Sequence, residues 1–285
     1  TAVVCSDGTL WSIGAGGATR FTVDLRMRTK KSTASPLARD DGGLVVAGDS
    51  GVVMVAQDGS IVARASLPLA AVGGVLPWRD GVLLTTADGG VHYWQPPAEP
   101  RKLGELGGHL EGGATRVGER TLVAVVDRLQ VVAFDLLGAG TTVLASGAGV
   151  GVELEGPVTL DPRGVLLVTN IMGELFGLDS HGAMVRQEAL ETLPAGFGAD
   201  AGMPSIFRRI DTHLSPALVV DARGRLAFAR NSGKVGVVDE SGKQATADAR
   251  LCAQPIAVLP AGPLRFAVAC RNGSIALYGE GGTGG

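Results

Sequence analysis

Gly48-Asp49-Ser50-Gly51 is the segment of this 285-residue chain that comes nearest to offering a catalytic serine. A serine on a sharp glycine-rich turn becomes a nucleophile when a histidine, itself oriented by a carboxylate, takes its proton. The same turn chemistry recurs, however, at Ser6-Asp7-Gly8, Asp88-Gly89, Asn231-Ser232-Gly233 and Asn272-Gly273. Asn, Asp, Ser and Gly collect in tight turns because short polar side chains bond their own backbone and glycine tolerates positive φ. Turn formation accounts for all five sites at once, so no catalytic residue is assigned. His92, His109, His181 and His213 are too widely separated to give a metal-ligand spacing. Gly14-Ala15-Gly16-Gly17 and Gly147-Ala148-Gly149-Val150-Gly151 precede no helical pattern, which a dinucleotide-binding turn requires. The expectation is a chain that is not an enzyme, with no cofactor and no metal site.

Recognition chemistry is better represented. Residues Glu191 to Leu214 break an otherwise regular pattern with Gly196, Gly198, Gly202 and Pro204, then continue as Ser205-Ile206-Phe207-Arg208-Arg209-Ile210-Asp211-Thr212-His213. Insertions on one face of a repeat array often form its binding face. Phe207, Arg208, Arg209 and His213 are therefore expected to contact a protein partner, an aromatic and paired charges being a common anchor set. A second protrusion, Gln95-Pro96-Pro97-Ala98-Glu99-Pro100, follows His92-Tyr93-Trp94 on the opposite rim and is stiffened by its prolines, with Trp94 expected to cap its unit. The three cysteines are Cys5, Cys252 and Cys270. Folding a hairpin about Pro260-Ala261-Gly262-Pro263 places Cys252 nearly opposite Cys270, so a cross-strand disulfide is geometrically open to them. A buried free thiol is the other outcome.

The elements that carry these groups are short hairpins. The apolar residue two places after each turn, at Leu10, Val53, Val91, Val131, Leu175, Val235 and Ile275, recurs every 38 to 44 residues except across one gap of 60, which holds the insertion. One unit reads in full as Pro36 to Arg39, Leu44 to Ala47, Val52 to Ala56 and Ile61 to Leu67, separated by Asp41-Gly42, Asp49-Ser50-Gly51 and Asp58-Gly59. Asp-Gly and Asn-Gly turns between runs of four to seven apolar residues are the mark of tight hairpins. Four strands per forty residues is the period of a propeller blade. The fold expected is all-β, a β-propeller of four-stranded antiparallel blades, seven in number, with six and eight left open. Thr1-Ala2-Val3-Val4-Cys5 aligns with the second strand of the last unit, so the first blade lacks an innermost strand, and the last stops after its third.

Gly173-Glu174-Leu175-Phe176-Gly177-Leu178-Asp179-Ser180-His181-Gly182 and Gly233-Lys234-Val235-Gly236-Val237-Val238-Asp239-Glu240-Ser241-Gly242 carry a third-strand pattern that resembles the PQQ-like β-propeller repeats. Val131 to Asp135 and Gly51 to Gly59 carry it more loosely, and the resemblance extends over essentially the whole chain. Two features depart from the family. The tryptophan that usually docks neighbouring blades is replaced by Ala63, Arg186 and Thr246, with Phe21 the nearest aromatic, and no adjacent cysteine pair is present. The resemblance therefore implies the non-catalytic branch, similar to the scaffold lipoprotein of the outer-membrane β-barrel assembly machinery, whose members bind other proteins.

The remaining composition agrees with one large β body, residues 1–280, followed by a flexible Gly-rich tail at 281–285. The chain has 44 glycines, 4% aromatic residues and a net charge of −3 with no basic stripe, which argues against nucleic acid as a partner. No stretch reaches the roughly 18 uninterrupted apolar residues of a membrane-spanning helix, and an opening at Thr1 without Met reads as a mature or trimmed product. A periplasmic or envelope-associated scaffold with protein partners is the function expected. The alternatives are an enzyme or small-ligand binder using a central channel, and a sensing domain of a longer receptor.

Overall fold

The computed structural model describes residues 2–14, 18–29, 35–138, 140–146, 153–170, 174–189, 214–221, 224–230, 234–239, 244–248, 255–260, 265–270 and 274–279. Phe207, Arg208, Arg209, His213, Cys252 and the 281–285 tail lie outside the described residues. Among those described, every regular element is a strand, and no helix is long and apolar enough to cross a membrane. The strands pair antiparallel in seven sheets, each a meander in chain order. They fall into two compact units, Thr1–Val143 and Leu144–Gly285.

The first unit holds three whole sheets and most of a fourth, whose last strand runs past Val143. The first has three strands, β1 (Ala2–Val4), β2 (Thr9–Ile13) and β3 (Thr19–Asp24). The second comprises β4 (Leu37–Ala38), β5 (Leu44–Ala47), β6 (Gly51–Val55) and β7 (Ile61–Ser66). The third comprises β8 (Ala71–Trp78), β9 (Gly81–Thr86), β10 (Gly90–Trp94) and β11 (Arg101–Glu105), and the fourth β12 (Ala114–Val117), β13 (Thr121–Val126), β14 (Gln130–Asp135) and β15 (Thr141–Ser146). In the second unit, β16 (Leu154–Leu160) to β19 (Met184–Ala189) and β20 (Leu214–Val220) to β23 (Gln244–Asp248) form four-stranded sheets. The last sheet has three strands among the described residues: β24 (Pro255–Pro260), β25 (Arg265–Cys270) and β26 (Ile275–Gly279). Both three-stranded sheets stand where the repeat alignment placed them.

Burial explains why the second strands are nearly unbroken apolar runs. Leu44–Ala47 is buried at all four positions, and in β9 and β13 five of six residues are. The innermost strands are less covered, with β12 mostly half-buried. A second strand has partners on both sides in its sheet and apolar neighbours on both faces, so alternation disappears. In the first unit, successive sheets share apolar layers. Leu10 packs with Leu44, Val46, Val53 and Val55, while Val52 faces the other way, onto Leu67, Ala71, Val82 and Trp94. Val91 continues the series against Leu122, Ala124 and Phe134. Val52, rather than Val53, is thus the counterpart of Leu10. Gly51 already belongs to β6, whereas Gly8 sits in its turn at φ 93°, which displaces the count by one.

The last sheet corrects a second reading. Its hairpin pairs Pro260 with Phe266, so its pairs centre on position 263 rather than between Ala261 and Gly262, and Pro255, not Cys252, stands opposite Cys270. Cys270 is disulfide-bonded and Cys5 is a free thiol.

Candidate partner-binding rim

Within each meander the turn joining strands one and two shares an edge of the sheet with the turn joining strands three and four. At most of these turns an aspartate is committed to its own backbone. Asp161 is 3% exposed. Its Oδ1 accepts from the N–H groups of Arg163 and Val165 at 2.8 and 2.9 Å, and its Oδ2 from the Arg163 guanidinium. Burial raises its pKa, but these donors outweigh it and the group titrates below the ordinary range. Asp221 takes the Arg225 N–H and guanidinium, Asp58 the Ser60 N–H and hydroxyl, and Asp179 the N–H groups of His181 and Ala183. The glycines that complete these turns, Gly59, Gly164, Gly182 and Gly224, all have positive φ. Such aspartates are turn caps, and their carboxylates are already satisfied.

The third sheet departs at both turns of this edge. Between β8 and β9 it carries Arg79-Asp80, with Arg79 in the left-handed region at φ 52°, where an L side chain is strained. Between β10 and β11 it carries the proline-rich Gln95 to Pro100. Side chains tie the two turns together. The Tyr93 hydroxyl donates to Asp80 Oδ1 at 2.5 Å, and the Gln95 amide donates to Asp80 Oδ2. The Tyr93 hydrogen bond is the main reason the Asp80 pKa is lowered. Partial burial, and then Asp80 itself, push Tyr93 up to about 12. Gly81 lets this closure happen, because a Cβ there would lie 2.4 Å from the Trp94 carbonyl oxygen and 2.8 Å from the Tyr93 ring.

Trp78 forms the floor. It is 3% exposed, meets Tyr93 edge-on with centroids 5.3 Å apart, and donates from Nε1 to the Glu119 carbonyl at 2.9 Å. That bond anchors it to the turn between β12 and β13. The exposed Arg79 guanidinium lies over the indole, 4.3 Å from the ring centroid, a cation–π contact. Arg101, exposed on β11, pairs in register with Tyr93. Among the described residues neither Arg79 nor Arg101 has an ion pair, whereas Arg116 and Arg120 are held by Glu119 and Asp135. On the same edge, a groove of about 690 Å³ lies between the first two sheets, lined by Arg20, Met54, Gln57 and Val62 among others. Phe21 closes against Gly59 beside it.

Part of this is legible in the sequence: the Gln95 to Pro100 protrusion is, whereas the expectation that Trp94 caps its unit is not met. Trp94 is instead fully buried among Val45, Val52 and Val82, with Nε1 donating to the Ala98 carbonyl and so fixing the proline-rich turn from beneath. Trp78, Arg79 and Tyr93 were missed as a group. Their signal was a turn, Trp78-Arg79-Asp80-Gly81, that lacks the capping aspartate at its start. Gly48 to Gly51 is a hairpin turn, closed by the Gly48 N–H on the Gly51 carbonyl at 2.9 Å.

No protein-family model matches the chain, and no curated protein matches it in sequence. Among solved structures, a selenomethionine-substituted virginiamycin B lyase from Staphylococcus aureus is similar over 96% of this chain and 92% of its own, with a TM-score of 0.70 at 12% identity. BamB from Moraxella catarrhalis is similar over 97% of this chain and 78% of its own, at TM-score 0.60 and 17% identity. BBS1N, from its complex with ARL6DN, is similar over 97% and 85%, at TM-score 0.69 and 12% identity. Identities this low speak for the fold alone.

The fold is a β-propeller. The seven sheets found among the described residues are blades of it, and the third carries the rim on which the departures from the repeat gather.

Proposed function

We propose that this propeller is a non-catalytic protein–protein interaction scaffold that works outside the cytoplasm within a larger complex. The observation that carries the reading is the third-blade rim, where the repeat's self-capped turns give way to a braced Trp–Arg–Tyr surface with two arginines left unpaired. Rigid Trp, Tyr and Arg are the residues in which binding energy concentrates at protein interfaces. A second contact region is the insertion, through Phe207, Arg208, Arg209 and His213. Support for the compartment comes from the Cys270 disulfide, with Cys252 assigned as its partner, because such bonds persist in oxidising surroundings.

The test is affinity capture from envelope fractions, followed by reconstitution with purified components. Alanine at Phe207, Arg208 and Arg209 together is expected to weaken the reconstituted complex by at least about tenfold, as loss of an anchor of roughly 1.4 kcal/mol or more does. Unchanged affinity removes the insertion from the contact. Absence of any stoichiometric partner, with turnover of a small molecule instead, would favour the enzymatic alternative, which shares its fold with the lyase above.

A further inference from the structure

We infer that the third-blade rim is a docking site for an acidic peptide segment of the partner, an inference that rests on the scaffold reading. Most of the charged groups around this rim already have partners. Asp80 has both carboxylate oxygens engaged, by Tyr93 and by Gln95. Arg116 is paired with Glu119 at 2.7 Å, and Arg120 grips Asp135 with two nitrogens at 3.0 and 2.8 Å. Arg79 and Arg101 are left on either side of Tyr93. Asp80 keeps its negative charge, because Tyr93 and Gln95 are neutral donors, and Glu99 is exposed on the adjoining turn, so the surface offers a visitor two guanidinium groups without an ion-pair partner rather than a net positive charge.

The geometry adds selectivity. A guanidinium over an aromatic face keeps its N–H donors for an acceptor in its own plane and matches a carboxylate two-pronged, which an ammonium does not. Its rotamer is fixed in advance by the indole, so less entropy is lost on binding. The strained φ of Arg79 points the same way. Two-residue hairpin turns take Asn, Asp or Gly at such positions without cost, and an arginine there serves the turn poorly. Tyr93, which both cations act on, supplies apolar surface there, and the exposed Pro97 lies on the turn that follows its strand. The complementary ligand is an extended segment with one or two carboxylates flanking an apolar residue.

The experiment uses the full chain and an immobilised array of short synthetic peptides, each made once with glutamates and once with glutamines at the same places. Heparin and phosphatidylglycerol vesicles serve as polyanion controls. Glutamate peptides should bind, their glutamine versions should bind at least about tenfold more weakly, and Arg79→Ala or Arg101→Ala should cause a comparable loss, each lost partner being a charged hydrogen bond. Arg79→Lys, which retains charge but not the two-pronged donor, should also lose affinity. Circular dichroism and thermal melting establish that each variant is folded. Equal binding of glutamate and glutamine peptides would overturn the inference. So would binding to heparin or vesicles that matches the best peptide and falls equally in the variants, which would mark a general polyanion patch. If a purified partner binds wild type and both variants alike, the scaffold stands and this site falls; if neither peptides nor any partner bind, both fall.

Discussion

At one place in the repeat the fifth blade carries Asp161-Pro162-Arg163-Gly164 and the third carries Trp78-Arg79-Asp80-Gly81. In the fifth, the aspartate is buried, its oxygens face back into the turn, and the arginine folds onto it. In the third, the aspartate is exposed and braces a different turn, while the arginine is held outward over an indole in a strained backbone conformation. The first arrangement satisfies every strong polar group locally and leaves little for another molecule. The second fixes its donors in place and leaves them unanswered. A repeat protein can thus keep one scaffold and create a recognition surface by changing which way the turn residues face, without altering a strand.

The sharpest way to break this contrast is to remove the floor. Trp78→Ala deletes a buried indole, its bond to the Glu119 carbonyl and the platform under Arg79. Urea unfolding should show a loss of about 3–5 kcal/mol, as for other buried aromatics. Trp78→Phe keeps a ring and should cost roughly 1 kcal/mol for the lost hydrogen bond. A loss for Trp78→Ala below about 1 kcal/mol would show that the indole does not organise the rim.

The counterpart on the fifth blade is Asp161→Ala, which leaves the Arg163 and Val165 N–H groups without their acceptor. A loss of about 1–3 kcal/mol is expected, with partner and peptide binding unchanged. Because Asp161 titrates below its ordinary value in the fold, its stabilisation is present above the unfolded pKa near 4 and is lost as pH falls through the lower folded value. Acid titration of unfolding free energy should therefore show a steeper decline below about pH 4 in wild type than in the variant. Any change in peptide affinity for this variant would mean that cap and contact are not separable functions of these turns.

Much of the contrast was open to a reader of the sequence, and the part that was not has a physical cause. Leu44–Ala47, Glu174–Leu178, Lys234–Val238 and Arg265–Cys270 are strands whose limits follow from apolar runs ending in Asp, Asn and Gly. Innermost strands were harder to place. Register shifts interrupt their pairing at Val72/Leu76, Glu155/Thr159, Ser215/Val219 and Pro255/Ala257. A bulge adds a residue without leaving a composition signal, so alternation fails there. Midpoint counting failed for Cys252 and Cys270 for another reason: the hairpin's pairs centre on position 263, beyond the middle of Pro260-Ala261-Gly262-Pro263. At the rim, the prolines after Trp94 announced an unusual turn. The partnership of Trp78 with Tyr93 depends on β8, β9 and β10 lying in register, and so no local pattern reveals it.

His92 offers a smaller test inside the same blade. It is 5% exposed where the neighbouring sheets carry Val53 and Val132, it is opposite Leu84 and Lys102 in register, and Asp88 and Lys102 are the charges acting on it. Burial, then Lys102, lowers its pKa, with Asp88 opposing. A neutral buried base means that the unfolded chain takes up the proton first. Stability is full above the unfolded value near 6.5 and declines as pH falls below it. His92→Val should abolish the decline that sets in below about pH 6.5 and leave peptide binding at pH 7.5 intact. A decline that survives the substitution would assign it elsewhere.

The smallest effect on stability should accompany the most selective effect on binding. Arg79→Gly relieves a left-handed arginine, which favours the fold by about 1 kcal/mol. It also forfeits a cation–π contact of about 0.5–1 kcal/mol and adds backbone freedom to the unfolded chain. These terms nearly cancel, and urea unfolding should place the variant within about 1 kcal/mol of wild type. Glutamate-peptide binding should nevertheless fall as far as in Arg79→Ala. A turn that folds equally well without its arginine but no longer binds would separate recognition from turn formation at one residue. A variant that is markedly destabilised would instead make Arg79 part of the scaffold, and the third-blade rim would be one more structural turn.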